Sequence, residues 1–106
     1  MSIPNQVPVF IPNDGAVPPL AVIGSGPVVD MSQCDNKGYD YVRDPGAAFA
    51  GNLEGSVAMR QWSVIAALGA SGQGAVDDWY NYVRVTVTGG GAIGPTTQVV
   101  AGGRVP

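Results

Sequence analysis

The chain has 106 residues, 16 of them Gly and 9 Pro, with 45% apolar residues, 12% charged residues and a formal net charge of -3. Glycine and proline at that density leave little room for helix, and the apolar share argues against a disordered tail and for one small domain with a thin core. With no His in the chain, His-based acid–base catalysis, Ser-His and Cys-His relays and most zinc and haem sites fall away.

The five cations, Lys37, Arg43, Arg60, Arg84 and Arg104, are scattered, so no basic stripe is available for phosphate neutralisation or for an anionic membrane surface. Nucleic acid and membrane are therefore not expected partners. A single cysteine, Cys34, cannot close an internal disulfide and has no cation beside it to activate the thiol, so it reads as structural. The opening residues carry no cationic and apolar leader pattern, and a soluble protein made in a reducing compartment is expected.

Residues 1–27 hold six of the nine prolines, Pro4, Pro8, Pro12, Pro18, Pro19 and Pro27, between short apolar pieces. This spacing prevents a helix and disfavours a central strand, because proline lacks the ladder donor. An extended arm is expected there. Ile3, Val7, Val9, Phe10, Ile11, Val17 and Leu20 make it too apolar for a solvated linker, so it lies against its own domain or against a neighbouring subunit.

From residue 28 to 106 the chain reads as short strands between turn clusters. Strands are predicted over 28–31, 39–43, 48–57, 61–68, 79–88 and 93–100, with turns at Asp35-Asn36-Lys37-Gly38, Asp44-Pro45-Gly46, Gly69 to Gly74 and Gly89-Gly90-Gly91. A helix over 56–68 is the alternative for that segment, since Ala58, Met59, Ala66, Ala67 and Leu68 favour one; Trp62, Val64 and Ile65 favour strand. The clearest alternation sets Trp79, Val83, Val85 and Val87 on one face against Tyr80, Tyr82, Arg84 and Thr86 on the other. The fold class that follows is all-β, an antiparallel β-sandwich or jelly roll (28–106) with an extended Pro-rich N-terminal arm (1–27).

Candidate chemistry is sparse. Gly69 to Gly74 lacks the GK[ST] of a phosphate loop and reads as a hairpin loop facing solvent. Glu54, Asp77 and Asp78 are the nearest approach to a carboxylate pair, but nothing in their spacing selects them, so no catalytic residue, metal site or cofactor is assigned. Trp62 and Trp79 are expected in the core, being the largest residues available to it. Tyr80, Tyr82 and Arg84, on the outward side of their strand, suit either a sugar platform or a protein interface.

The run Gly51-Asn-Leu53-Glu-Gly55-Ser56, then Gln61-Trp62-Ser63-Val64-Ile65, then Trp79-Tyr80-Asn81-Tyr82-Val83-Arg84-Val85-Thr86-Val87 resembles the grammar of small jelly-roll-like structural proteins of tailed bacteriophages, such as capsid decoration or cement proteins. The resemblance covers about 40 of 106 residues and departs from the pattern at Val57 to Arg60, where an Asp-Gly turn would stand. It implies a non-enzymatic virion protein that binds the major capsid protein and copies of itself. Two physical features agree: few charges guard the edge strands, and an apolar arm (Ser2 to Ile23) lets a small protein bury area on its neighbours. The alternative is a carbohydrate- or receptor-binding accessory module of a phage tail or fibre, with Tyr80 and Tyr82 as its ligand surface.

Overall fold

The computed structural model describes residues 3–14 and 20–106. All of the described secondary structure is β: β1 (Ile3–Pro8), β2 (Leu20–Ala21), β3 (Gly24–Ser25), β4 (Val29–Asp30), β5 (Asp35–Val42), β6 (Ala50–Ser56), β7 (Ser63–Ala67), β8 (Gly72–Ala75), β9 (Tyr82–Gly89), β10 (Gly91–Ala92) and β11 (Gln98–Val105). The strands form antiparallel sheets in the manner of a β-sandwich. One sheet runs β1-β11-β5-β8, the other β3-β9-β6-β7 with β4 also on β9, and β10 pairs with β2 as a small third sheet. The segment weighed as a helix is the loop after β6 followed by β7.

The core is made by alternation, as the valine periodicity of 79–88 implied. Val83, Val85 and Val87 of β9 and Leu53 of β6 point inward and meet Val99 and Ala101 of β11 and Tyr41 of β5, with Phe49, Leu68, Ile93 and Met31 closing the ends. Each of the Val, Leu, Ile, Phe and Met side chains among them, once fully buried, contributes roughly 1.5–3 kcal/mol.

The N-terminal segment expected as an arm is built into this body over its described part. β1 pairs with β11 from Ile3↔Val105 to Pro8↔Val100, and the Val9 amide extends the ladder to the Val99 carbonyl at 2.8 Å. Val9 and Ile11, expected at a partner interface, are instead core residues with 3% and 4% exposure, and Val7 packs against the same cluster. The reason is parity. Odd-numbered residues here face the opposite sheet, so the apolar ones find their burial at home. Phe10 and Leu20 remain exposed; Val17 and the side chain of Ile3 lie outside the described residues.

The prolines fit this role. Because Val9 donates toward β11, Val7 and Asn5 do likewise by alternation, and the backbone nitrogens of Pro4, Gln6 and Pro8 face the free edge. Two of those three positions have no N–H to offer, which blunts the edge against strand addition.

Two other turn expectations are corrected. Asp35 to Gly38 opens β5 rather than forming a free turn, with an extra residue in β5 between the pairs Gly102↔Gly38 and Arg104↔Asp35 and Asn36 at φ 48°, the mark of a β-bulge. Within the Gly69 to Gly74 loop, β8 forms against β5 from Gly38↔Ala75 to Tyr41↔Gly72.

Candidate functional site

At one end of the sandwich the β6–β7 loop and the β8–β9 loop carry Val57, Met59 and Trp79. All three side chains are exposed, Trp79 by 65%, although the sequence suggested core for that tryptophan. Its strand is shorter than the alternation implied: β9 begins at Tyr82, and residues 77–80 form a turn closed by the Tyr80 amide on the Asp77 carbonyl at 3.0 Å.

This end is pinned from beneath. Lys37, on the inward-facing parity of β5 with Tyr39 and Tyr41, is only 4% exposed. Its Nζ donates to the carbonyls of Asp78 at 2.5 Å and Tyr80 at 2.8 Å, the two residues that flank Trp79. The Lys37 amide in turn donates to Asp78 Oδ1 at 3.1 Å, and the Lys37 carbonyl accepts from the Val76 amide at 2.9 Å. The neighbouring loop is tied by the Met59 amide to Ser56 Oγ at 2.9 Å and by Asn81, whose amide and Nδ2 donate to the carbonyls of Ser56 and Val57 at 3.0 and 3.1 Å. Met59 sits at φ 61°, a left-handed conformation unusual for an unbranched apolar residue. Apolar side chains are thus displayed on backbone that is held in place.

A second apolar zone, Leu20, Val22 and Ile23, is exposed, with Ile23 at 67%. β2 is paired with β10, which follows the end of β9, whereas Ser56 at the first zone faces Tyr82 at the start of β9. The zones therefore lie at opposite ends of β9, whose eight residues span roughly 25 Å.

Tyr80, Tyr82 and Arg84 do not form one open platform. Tyr80 is half-buried over Gly55, where a Cβ would come within 2.8 Å of its ring; only glycine admits that approach. Arg84 is engaged on the outer face of the second sheet. Its Nε donates to Glu54 Oε1 at 2.9 Å, and its guanidinium carbon stands 4.0 Å from the centroid of Trp62. Thr86 Oγ1 donates to the same carboxylate oxygen at 2.6 Å, so its lone pairs are left to accept from Ser25 Oγ at 3.1 Å. Trp62, expected in the core, is therefore a half-buried surface residue lying against a cation.

Of the carboxylates considered for chemistry, Glu54 is paired with Arg84 while Asp78 accepts from Lys37 at the sandwich end. Among the described residues, no group of three or more His, Cys, Asp or Glu side chains is placed to hold a metal ion. Cys34 is buried and its Sγ accepts from Asn5 Nδ2 at 3.8 Å. The Lys37 clamp is not legible in the sequence. Its acceptors are main-chain carbonyls some forty residues away, which no side-chain motif announces. No known family model matches the chain, and no curated protein or solved structure matches it.

Proposed function

We propose that this chain is a virion structural protein, a capsid decoration protein of the kind it resembles, which fastens neighbouring subunits of a tailed-phage shell through its two apolar ends. The observation that supports the reading is the placement of Trp79, Val57 and Met59 at one end of β9 and of Leu20, Val22 and Ile23 at the other. A fastener must touch two neighbours at once, and apolar side chains at both ends of a rigid sandwich provide that reach. Tryptophan and methionine on the first end are residue types enriched where interfaces are tightest.

The route differs from an arm that clamps. Val9 and Ile11 are committed to the core, so among the described residues of that segment the large apolar side chains exposed for a partner are Phe10, Leu20, Val22 and Ile23. The partners under this reading are the major capsid protein and further copies of the chain.

Co-sedimentation with shells assembled from the major capsid protein of the virus that encodes the chain tests the reading. The chain is expected to pellet with the shells and raise their resistance to heat. Either W79S/M59S or L20S/I23S should weaken binding by at least about tenfold, the loss expected for a buried aromatic or aliphatic anchor. A chain that stays in the supernatant, or two end variants that bind as the parent does, would overturn it.

A further inference from the structure

The outer face of the β1-β11-β5-β8 sheet holds a feature that fastening does not use. Register places outward-facing residues of the four strands in rows: Pro8, Val100, Asp40 and Gln73 in one, Gln6, Gly102, Gly38 and Ala75 in the next, then Pro4 and Arg104. The middle row has glycine on both central strands. It forms the floor of a shallow trough of about 800 Å³ whose two walls stand four residues apart along β11, or about 13 Å. Glycine in a strand interior is where a ligand can come close to the backbone. Both glycines also have a packing reason: a Cβ on Gly102 would collide with the Asn5 carbonyl, and one on Gly38 would press on the Gly74 carbonyl at 3.1 Å.

The lining is chemically selective. Gln6, Asn36, Asp40, Gln73, Gln98 and Arg104 reach the trough and all are exposed. Four of the six are primary amides, each offering a donor pair and an acceptor on one planar group, which matches a hydroxyl that both gives and receives. One carboxylate and one guanidinium offset each other's charge. That balance disfavours phosphate, which needs convergent cations, and the shortage of apolar side chains disfavours a docked protein, whose interface core would be apolar and aromatic.

We propose that this face binds a neutral oligosaccharide, laid across the strands over Gly102 and Gly38 with Asp40 and Gln73 bonding its hydroxyls. The site is distinct from Tyr80 and Tyr82 and independent of the fastening role. An open, wet trough holds its ligand weakly, with a dissociation constant on the order of 0.1–1 mM.

Titration of the 15N-labelled full chain with maltotriose, cellotriose, chitotriose and mannotriose, each to about 10 mM so that a millimolar complex saturates, tests it by amide shift. At least one trisaccharide should move Gly38, Asp40, Gln73 and Arg104 together. D40A and Q73A should each weaken that response by about tenfold while leaving thermal unfolding as in the parent, because both side chains are exposed. The proposal is overturned if none of the four sugars moves these amides, if the shifts gather instead on Trp79 and Tyr82, or if inorganic phosphate competes for the same residues.

Discussion

Lys37 donates twice to Asp78, once from its side chain and once from its main chain: the lysine Nζ donates to the aspartate carbonyl at 2.5 Å, and the lysine amide donates to the aspartate Oδ1 at 3.1 Å. With the second Nζ bond, to the Tyr80 carbonyl, a buried ammonium takes the place of a strand partner for the 77–80 turn. Lys37→Met keeps the chain length but leaves two carbonyls without their donor. A loss of about 2–4 kcal/mol in urea unfolding is expected. In a W62F background, the emission and acrylamide quenching of Trp79 should also change, because the turn that displays it is released. A loss below about 1 kcal/mol would show the clamp to be dispensable.

Glu54, Arg84 and Trp62 separate two kinds of contact on one guanidinium. The Glu54–Arg84 ion pair is partly exposed and is worth about 0.2–1 kcal/mol, screened by salt. The stacking on Trp62 contributes about 0.5–1 kcal/mol by a route that salt weakens less. Double-mutant cycles for E54Q/R84M and for W62A/R84M, run in dilute buffer and at about 0.5 M NaCl, should show the first coupling shrink and the second persist. Equal salt sensitivity would contradict the assignment.

Asp44 ties the end of β5 to the approach of β11, accepting from Thr96 Oγ1 at 2.6 Å and from the Gly46 amide at 2.7 Å. The Thr96 hydroxyl first, and the Gly46 amide second, hold its carboxyl below the ordinary 3.8. A depressed folded-state value means the unfolded chain takes up the proton more readily, so the stability this group contributes is present above about pH 4 and lost as pH falls through the folded value. Urea midpoints measured between about pH 2.5 and pH 6.5 should fall more steeply at the acid end in the parent than in D44N. Asp30, lowered in the same way by Ser32, keeps some acid slope in the variant. Parallel curves would refute the contribution of Asp44.

The fold class and much of the core were legible because alternation in 82–89 is written in β-branched residues, and Val83, Val85 and Val87 are buried as that pattern requires. Carrying the same alternation back past Asn81 puts Trp79 in the core, where it does not lie. That break marks the strand's start, and Asn81 bonds across to the 56–57 loop instead. The prolines of residues 3–8 disfavour a central strand, and their spacing of four is compatible with the edge strand β1, whose outward nitrogens need no hydrogen. β8 could not be read at all. Gly72-Gln73-Gly74-Ala75 has no strand propensity and is ordered by the ladder of β5 beside it. The oligosaccharide trough was equally hidden, since it depends on Gly102 and Gly38, sixty-four positions apart, facing each other in register.

The free edges are guarded unequally. β1 presents Pro4 and Pro8 outward, while β7, Ser63 to Ala67, pairs among the described residues with β6 alone and carries neither charge nor proline. Val64 on that strand is 59% exposed. An uncharged five-residue edge with a β-branched side chain is a template for pairing with another strand, and the chain's own copies are the nearest source at high concentration. Sedimentation velocity over a concentration series should therefore show self-association that V64K abolishes, since an edge lysine meets its like across an antiparallel dimer. The substitution touches no core residue and should alter the unfolding midpoint by less than about 0.5 kcal/mol. Association that survives V64K but disappears in W79S would move the self-contact from the β7 edge to the apolar loop end.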